Sequence, residues 1–126
     1  VRRVVPDASA LAAVIFGEPG ADVVEAQLAD AELFAPTLLQ FELANVAWKK
    51  ARKDPASGVA ILTALRAALD DGGITWVDVN ITDTVLVGQA EDITPYDASY
   101  VWLAGTLGAD LVTLDGKLHD AGTEPI

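Results

Sequence analysis

The segment Arg3-Val4-Val5-Pro6-Asp7-Ala8-Ser9-Ala10-Leu11 runs from a short β-branched stretch, through a proline, into an apolar pattern of helical spacing. Proline suits the end of a strand because it has no N–H to give the ladder. An aspartate just before a helix is a favoured N-cap. The same succession recurs downstream. Leu33–Pro36, Ile74–Val79 and Asp110–Leu114 read as strands, the middle one entered through the turn signal Asp71-Gly72-Gly73. Helical periodicity fills the intervals: Ala8–Phe16, Ala21–Ala29, Leu38–Lys53, Ala56–Asp70, Thr82–Asp92, Asp97–Leu107 and a short helix near Asp115–Ala121. Strands alternating with helices predict a three-layer α/β/α sandwich around a mostly parallel sheet of four to five strands.

The chain has 126 residues, 52% of them apolar and 21% charged. That is one domain's length, residues 1–126, with enough apolar surface for a core and none of the composition of disorder. The longest uncharged run, Ala98–Ala109, is twelve residues, short of the ~20 that span a bilayer. The start, Val1-Arg2-Arg3-Val4-Val5, has no long apolar stretch and no A-x-A site, which predicts a cytoplasmic protein. With no cysteine and one histidine, His119, disulfides, thiolate catalysis and sulfur- or histidine-built zinc sites are excluded. Nineteen acids against eight bases give a net charge of −11, so no basic field exists to attract nucleic acid non-specifically.

Ligands of parallel sheets sit at the carboxyl ends of the strands, and acids stand there. Asp7 follows the first strand and Asp115 the fourth, while Asp97 opens a helix. Each could be only an N-cap. Glu42 could not, being inside the helix Leu38–Lys53, whose apolar stripe runs Leu39, Leu43, Val46. Glu42 and Asn45 are expected on or beside the core-facing side of that helix. A buried acid needs a partner, and the helix's bases begin only at Lys49. If the four acids converge, about four negative charges repel one another and call for cations. All-oxygen ligands select Mg²⁺ or Mn²⁺, and two such ions suit phosphoryl displacement.

Four blocks carry a resemblance across nearly the whole chain: V-V-P-D-A-S-A-L (4–11), F-E-L-A-N-V (41–46), Y-D-A-S-Y-V-W-L-A (96–104) and L-V-T-L-D-G-K-L (111–118). In this order they resemble the PIN domain, and within it the VapC-type toxins of toxin–antitoxin pairs. The resemblance implies a metal-dependent endoribonuclease in which Asp7, Glu42, Asp97 and Asp115 hold Mg²⁺ or Mn²⁺. Water activated by the metal would attack the phosphate of a structured tRNA or rRNA, leaving a 5′-phosphate and a 3′-hydroxyl. Ser9, Asn45 and Thr113 match polar positions bordering such a site. The resemblance further implies a homodimer and a VapB-like antitoxin that blocks the site. A last strand, found in relatives, has room here only near Thr123–Ile126. Asp120 matches a further acid of some relatives loosely, and reads better as a solvated helix residue.

Lys49, Lys50, Arg52 and Lys53 are four of the eight bases. They read as a solvated helix end favoured by the helix dipole, or, beside an RNA-cutting site, as a local phosphate anchor. Setting aside the four acids leaves fifteen against eight bases, still −7, which suits a basic antitoxin tail. Trp48, Trp76 and Trp102 are expected in the core and His119 at the surface. A haloacid-dehalogenase-type phosphatase would need an acid where Ser9 stands, and a response-regulator receiver would need adjacent acids near the first strand. The remaining alternative is a catalytically inactive PIN-like module that binds RNA or a partner.

Overall fold

Val4 and Val5 are both completely buried, which a strand achieves only when its two faces are both covered. This strand, β1 (Arg3–Pro6), lies inside a parallel sheet in the computed structural model, which describes residues 1–123. The sheet order is β3 (Ile74–Val77), β2 (Glu32–Pro36), β1, β4 (Asp110–Val112). Val4 pairs with Leu33 on one side and with Asp110 on the other.

Seven helices accompany the sheet among the described residues: α1 (Ala8–Phe16), α2 (Ala21–Leu28), α3 (Leu38–Lys53), α4 (Gly58–Asp71), α5 (Ile81–Glu91), α6 (Pro95–Leu107) and α7 (Gly116–Thr123). Val4 and Val112 pack with Ala10 of α1 and Val24 of α2. Val5, one residue on and facing the other way, packs with Leu39 and Leu43 of α3 and with Tyr100 and Leu103 of α6. These two covered faces make the expected three-layer α/β/α sandwich. Among the described residues no helix is long and apolar enough to cross a membrane.

The boundaries differ from the expected ones where side chains take over from the ladder. Helix α6 starts at Pro95, not Asp97, because the Thr94 hydroxyl accepts the Asp97 N–H (3.2 Å) and proline suits the first helical position. Likewise Asn80 caps α5 by accepting the Asp83 N–H (3.0 Å), so β3 stops at Val77. Strand β4 ends at Val112, whose carbonyl accepts the Asp7 N–H at 3.0 Å, and Thr113 turns its hydroxyl to the chain after β1. A 3₁₀ turn, Pro55–Ser57, occupies the expected beginning of α4. The strand expected near Thr123–Ile126 is replaced at Thr123 by the end of α7, and 124–126 lie outside the described residues.

Helix α5 lies close enough to the start of α6 that a Cβ on Gly88 would stand 2.8 Å from the Ile93 carbonyl oxygen, whereas one on Gly58 would meet nothing. Gly88→Ala is therefore expected to destabilise by about 1–3 kcal/mol, and Gly58→Ala to stabilise by about 0.4–1 kcal/mol. Urea unfolding of the two variants measures both.

Candidate active site

Because β2 and β4 flank β1 on opposite sides, the chain's winding reverses between β1 and β4, and the carboxyl ends of these two strands are where a parallel sheet has its ligand crevice. Asp7 follows β1 at this point and is 5% exposed. Its Oδ1 accepts the Ala10 N–H (3.0 Å), which caps α1, and the Ser9 hydroxyl (2.7 Å). Its Oδ2 accepts the Thr113 hydroxyl at 2.6 Å. Ser9 Oγ in turn accepts the Leu114 N–H (3.0 Å), and Thr113 Oγ1 accepts the Asp115 N–H (2.9 Å). Both hydroxyl protons are thus committed to Asp7, although the two oxygens are only 3.2 Å apart. Capping and site-building are not alternatives for Asp7; the same carboxylate does both.

Asp115 is exposed, and its Oδ1 accepts the Lys117 and Leu118 N–H groups (3.0 and 3.3 Å), capping α7. Asp97 lies in the first turn of α6 and does not cap it, since Thr94 does. Glu42 is half-buried, and its Oε1 accepts the hydroxyl of Tyr100, a fully buried side chain. Tyr100 was not singled out by the sequence reading. It stands one helical turn beyond Asp97, and a buried tyrosine needs a partner for its hydroxyl.

The four acids share one electrostatic field. Burial raises the pKa of Glu42, the Tyr100 hydrogen bond opposes this, and the charges of Asp97 and Asp7 add to the rise. Burial also raises the pKa of Asp97, helped by Asp115 and Asp7 and opposed by Lys117. Burial and then the Glu42 charge hold the Tyr100 phenol far above its ordinary range, so it stays a donor. Lys117, two residues from Asp115, is the base whose charge opposes the rise at Asp97, a role that the pattern of acids in the sequence does not single out.

The structure thus brings Asp7, Glu42, Asp97 and Asp115 within reach of one another's charge, with Ser9 and Thr113 bonded to Asp7. Asn45 is exposed, not beside the core, because the buried side of α3 follows Leu39, Leu43 and Ala47. Lys49, Lys50, Arg52 and Lys53 stand at the far end of α3 from the acids. Trp48 departs from the expected core position and is 55% exposed. Trp76 and Trp102 are partly buried against the core, with Trp102 Nε1 donating to Asp83 (3.2 Å). His119 is exposed, 3.7 Å from Asp120, which is exposed too.

A family model described as PIN domain matches residues 4–124. Ribonuclease VapC3 of Pyrobaculum aerophilum is 32% identical over 129 residues, covering 94% of this chain and 93% of that protein. The chain belongs to the PIN-domain family, VapC type. Ribonuclease VapC9 of Mycobacterium tuberculosis is similar to this PIN domain at 33% identity over 127 residues, covering 94% of the chain and 91% of the relative. The crystal structure of PAE2754 from Pyrobaculum aerophilum superposes on the domain with a TM-score of 0.79 at 25% identity, covering 99% of this chain and 88% of that one.

Raised carboxyl pKa values mean that the folded domain binds protons more readily than the unfolded chain. The crowding penalty is full above the folded-state pKa values of Glu42 and Asp97 and is relieved as pH falls through them toward their ordinary values. In chelator, the melting temperature is expected to rise as pH is lowered from neutrality through the raised pKa values of Glu42 and Asp97. Asp97→Asn, which removes one charge and keeps the shape, should raise it at pH 7 and flatten the dependence. A variant less stable than the parent at pH 7 would contradict the shared field.

Proposed function

We propose that this PIN domain is a Mg²⁺- or Mn²⁺-dependent endoribonuclease and the toxin of a type II toxin–antitoxin pair. The observation that carries the reading is the gathering of four carboxylates in a crevice where burial and mutual repulsion raise the pKa of two of them. The names of its relatives as VapC ribonucleases support RNA as the substrate.

The donor set fits a hard divalent ion, being all oxygen and negative beyond what Lys117 offsets. Among the described residues no three acids or histidine close around one point as a finished cage. Mg²⁺ does not need one, because it keeps several waters and takes one or two carboxylates together with substrate phosphate. Asp7, Glu42, Asp97 and Asp115 would be the holders. Bound there, the ion supplies Lewis acidity toward a phosphate and lowers the pKa of water.

The chain's own residues prepare this. Ser9 and Thr113 fix the Asp7 carboxylate, and Tyr100 fixes that of Glu42. The Lys117 and Leu118 amides hold one oxygen of Asp115, and its other oxygen and the carboxylate of Asp97 would be left to meet the ion and the RNA. Lys117 offsets charge near Asp97 and stands ready to meet a phosphate. The substrate class is structured RNA, tRNA or rRNA, cut to leave a 5′-phosphate and a 3′-hydroxyl. The acidic remainder of the surface favours a VapB-like antitoxin with a basic tail. Exposed apolar residues such as Phe41, Ile81 and Leu86 favour a homodimer, and the RNA substrate goes with a cytoplasmic protein.

Purified protein should cut RNA with Mg²⁺ or Mn²⁺ and not with chelator. Asp7→Asn, Glu42→Gln, Asp97→Asn and Asp115→Asn should each slow cleavage at least about a hundredfold. Cleavage that survives chelation, or survives all four changes, would overturn the reading. Antitoxin affinity, measured by calorimetry, should fall as salt rises; salt-independent affinity would assign the contact to apolar packing.

A further inference from the structure

On α3, Glu42, Val46, Lys49 and Lys53 follow heptad spacing and therefore share one helical stripe. The stripe that carries Glu42 into the acidic crevice carries Lys49 and Lys53 along the same line, about 10 and 16 Å further on by helical rise. Both lysines are exposed, and neither has an ion pair among the described residues. Lys50, by contrast, is tied to Glu18 at 2.6 Å. The adjoining flank holds Trp48, 55% exposed, with the Arg52 guanidinium 4.8 Å from its ring centre. Together these side chains line a groove of about 590 Å³ between the end of α3 and Glu18.

An exposed indole with a guanidinium over it is an arrangement on which unpaired bases stack, and lysines beside it suit the phosphates of the same strand. In a chain of net charge −11, RNA cannot be held by a general field and needs a local anchor. A basic antitoxin tail has the wrong charge for this groove. We propose that the far end of α3 is a second RNA subsite: Lys49 and Lys53 hold phosphates two and three helical turns from Glu42, while Trp48 and Arg52 take an unpaired base. The subsite rests on the nuclease reading and deepens it. Its substrate is RNA with a single-stranded flank on one side of the cut, and α3 sets the distance from that flank to the reacting phosphate.

Binding is measured by fluorescence anisotropy in chelator, so that no cleavage occurs. The ligands are a labelled single-stranded RNA of about a dozen nucleotides and a duplex of the same sequence. Trp48→Ala should weaken single-strand binding about ten- to a hundredfold, with Trp48→Phe recovering most of it and duplex affinity unmoved. The double variant Lys49→Gln/Lys53→Gln should lower the log–log salt slope by about 1.4, as two released phosphate contacts require. Thermal melts check that these surface variants are folded. The subsite is overturned by unchanged single-strand binding in all variants, by equal losses on single strand and duplex, or by a parent that binds neither RNA. It is also overturned if Trp48→Ala changes the oligomer's mass in sedimentation while RNA binding stays intact, which makes the face an interface between copies. A parent that binds as expected but does not cut with Mg²⁺ defeats the nuclease reading and leaves the subsite standing. A parent that cuts while the variants bind like the parent defeats the subsite alone.

Discussion

Asp7 is held from both sides of the β1–β4 crevice, by the Ala10 amide and Ser9 on its own side and by Thr113 on the other. The rest of the site depends on that clamp. A carboxylate this buried is tolerated only when its acceptors are satisfied, and the groups that satisfy it fix three backbone segments at once. The same bonds start α1, join the chain after β1 to the chain after β4, and orient Asp115 through its amide to Thr113. Remove the acid and the helix loses its cap, while two hydroxyls lose their acceptor.

Around this fixed point the domain accumulates negative charge that its fold does not neutralise. Glu42 receives one hydrogen bond from Tyr100, Asp97 has only the nearby charge of Lys117, and both are partly withdrawn from water. Stability alone would not favour such an arrangement. The two covered faces of the sheet, with β1 buried on both sides, supply the cohesion against which the crevice is held. This division of labour is the usual relation between a rigid scaffold and a site that is costly by itself.

The fold was legible because local signals agreed with one another. Proline after the first two strands, glycine and aspartate turns, and helical stripes such as Leu39, Leu43 and Val46 all point to alternating strands and helices. The boundaries that shifted did so where a hydroxyl or amide side chain captured a backbone N–H, as at Thr94 and Asn80, which periodicity does not register. The four acids could be picked out by their places: Asp7 and Asp115 after strands, Asp97 at a helix start and Glu42 inside α3. Their network could not, since it depends on Ser9 and Thr113, more than a hundred residues apart, meeting at one carboxylate. Tyr100 was hidden for a related reason: in sequence it is one more residue of an apolar helix. Trp48 was misplaced because helical spacing alone does not say which of two neighbouring stripes is turned inward.

A count of lone pairs gives the Asp7 clamp a further meaning. An ionised carboxylate offers about four acceptor sites, and Asp7 has already given two on Oδ1 and one on Oδ2. One vacancy is left, on Oδ2. On the metal-dependent reading, Asp7 would therefore offer a single cation a single oxygen, and any second cation would draw its protein ligands from Glu42, Asp97 and Asp115. That limit would be set by one backbone amide and two hydroxyl groups, none of which carries a charge.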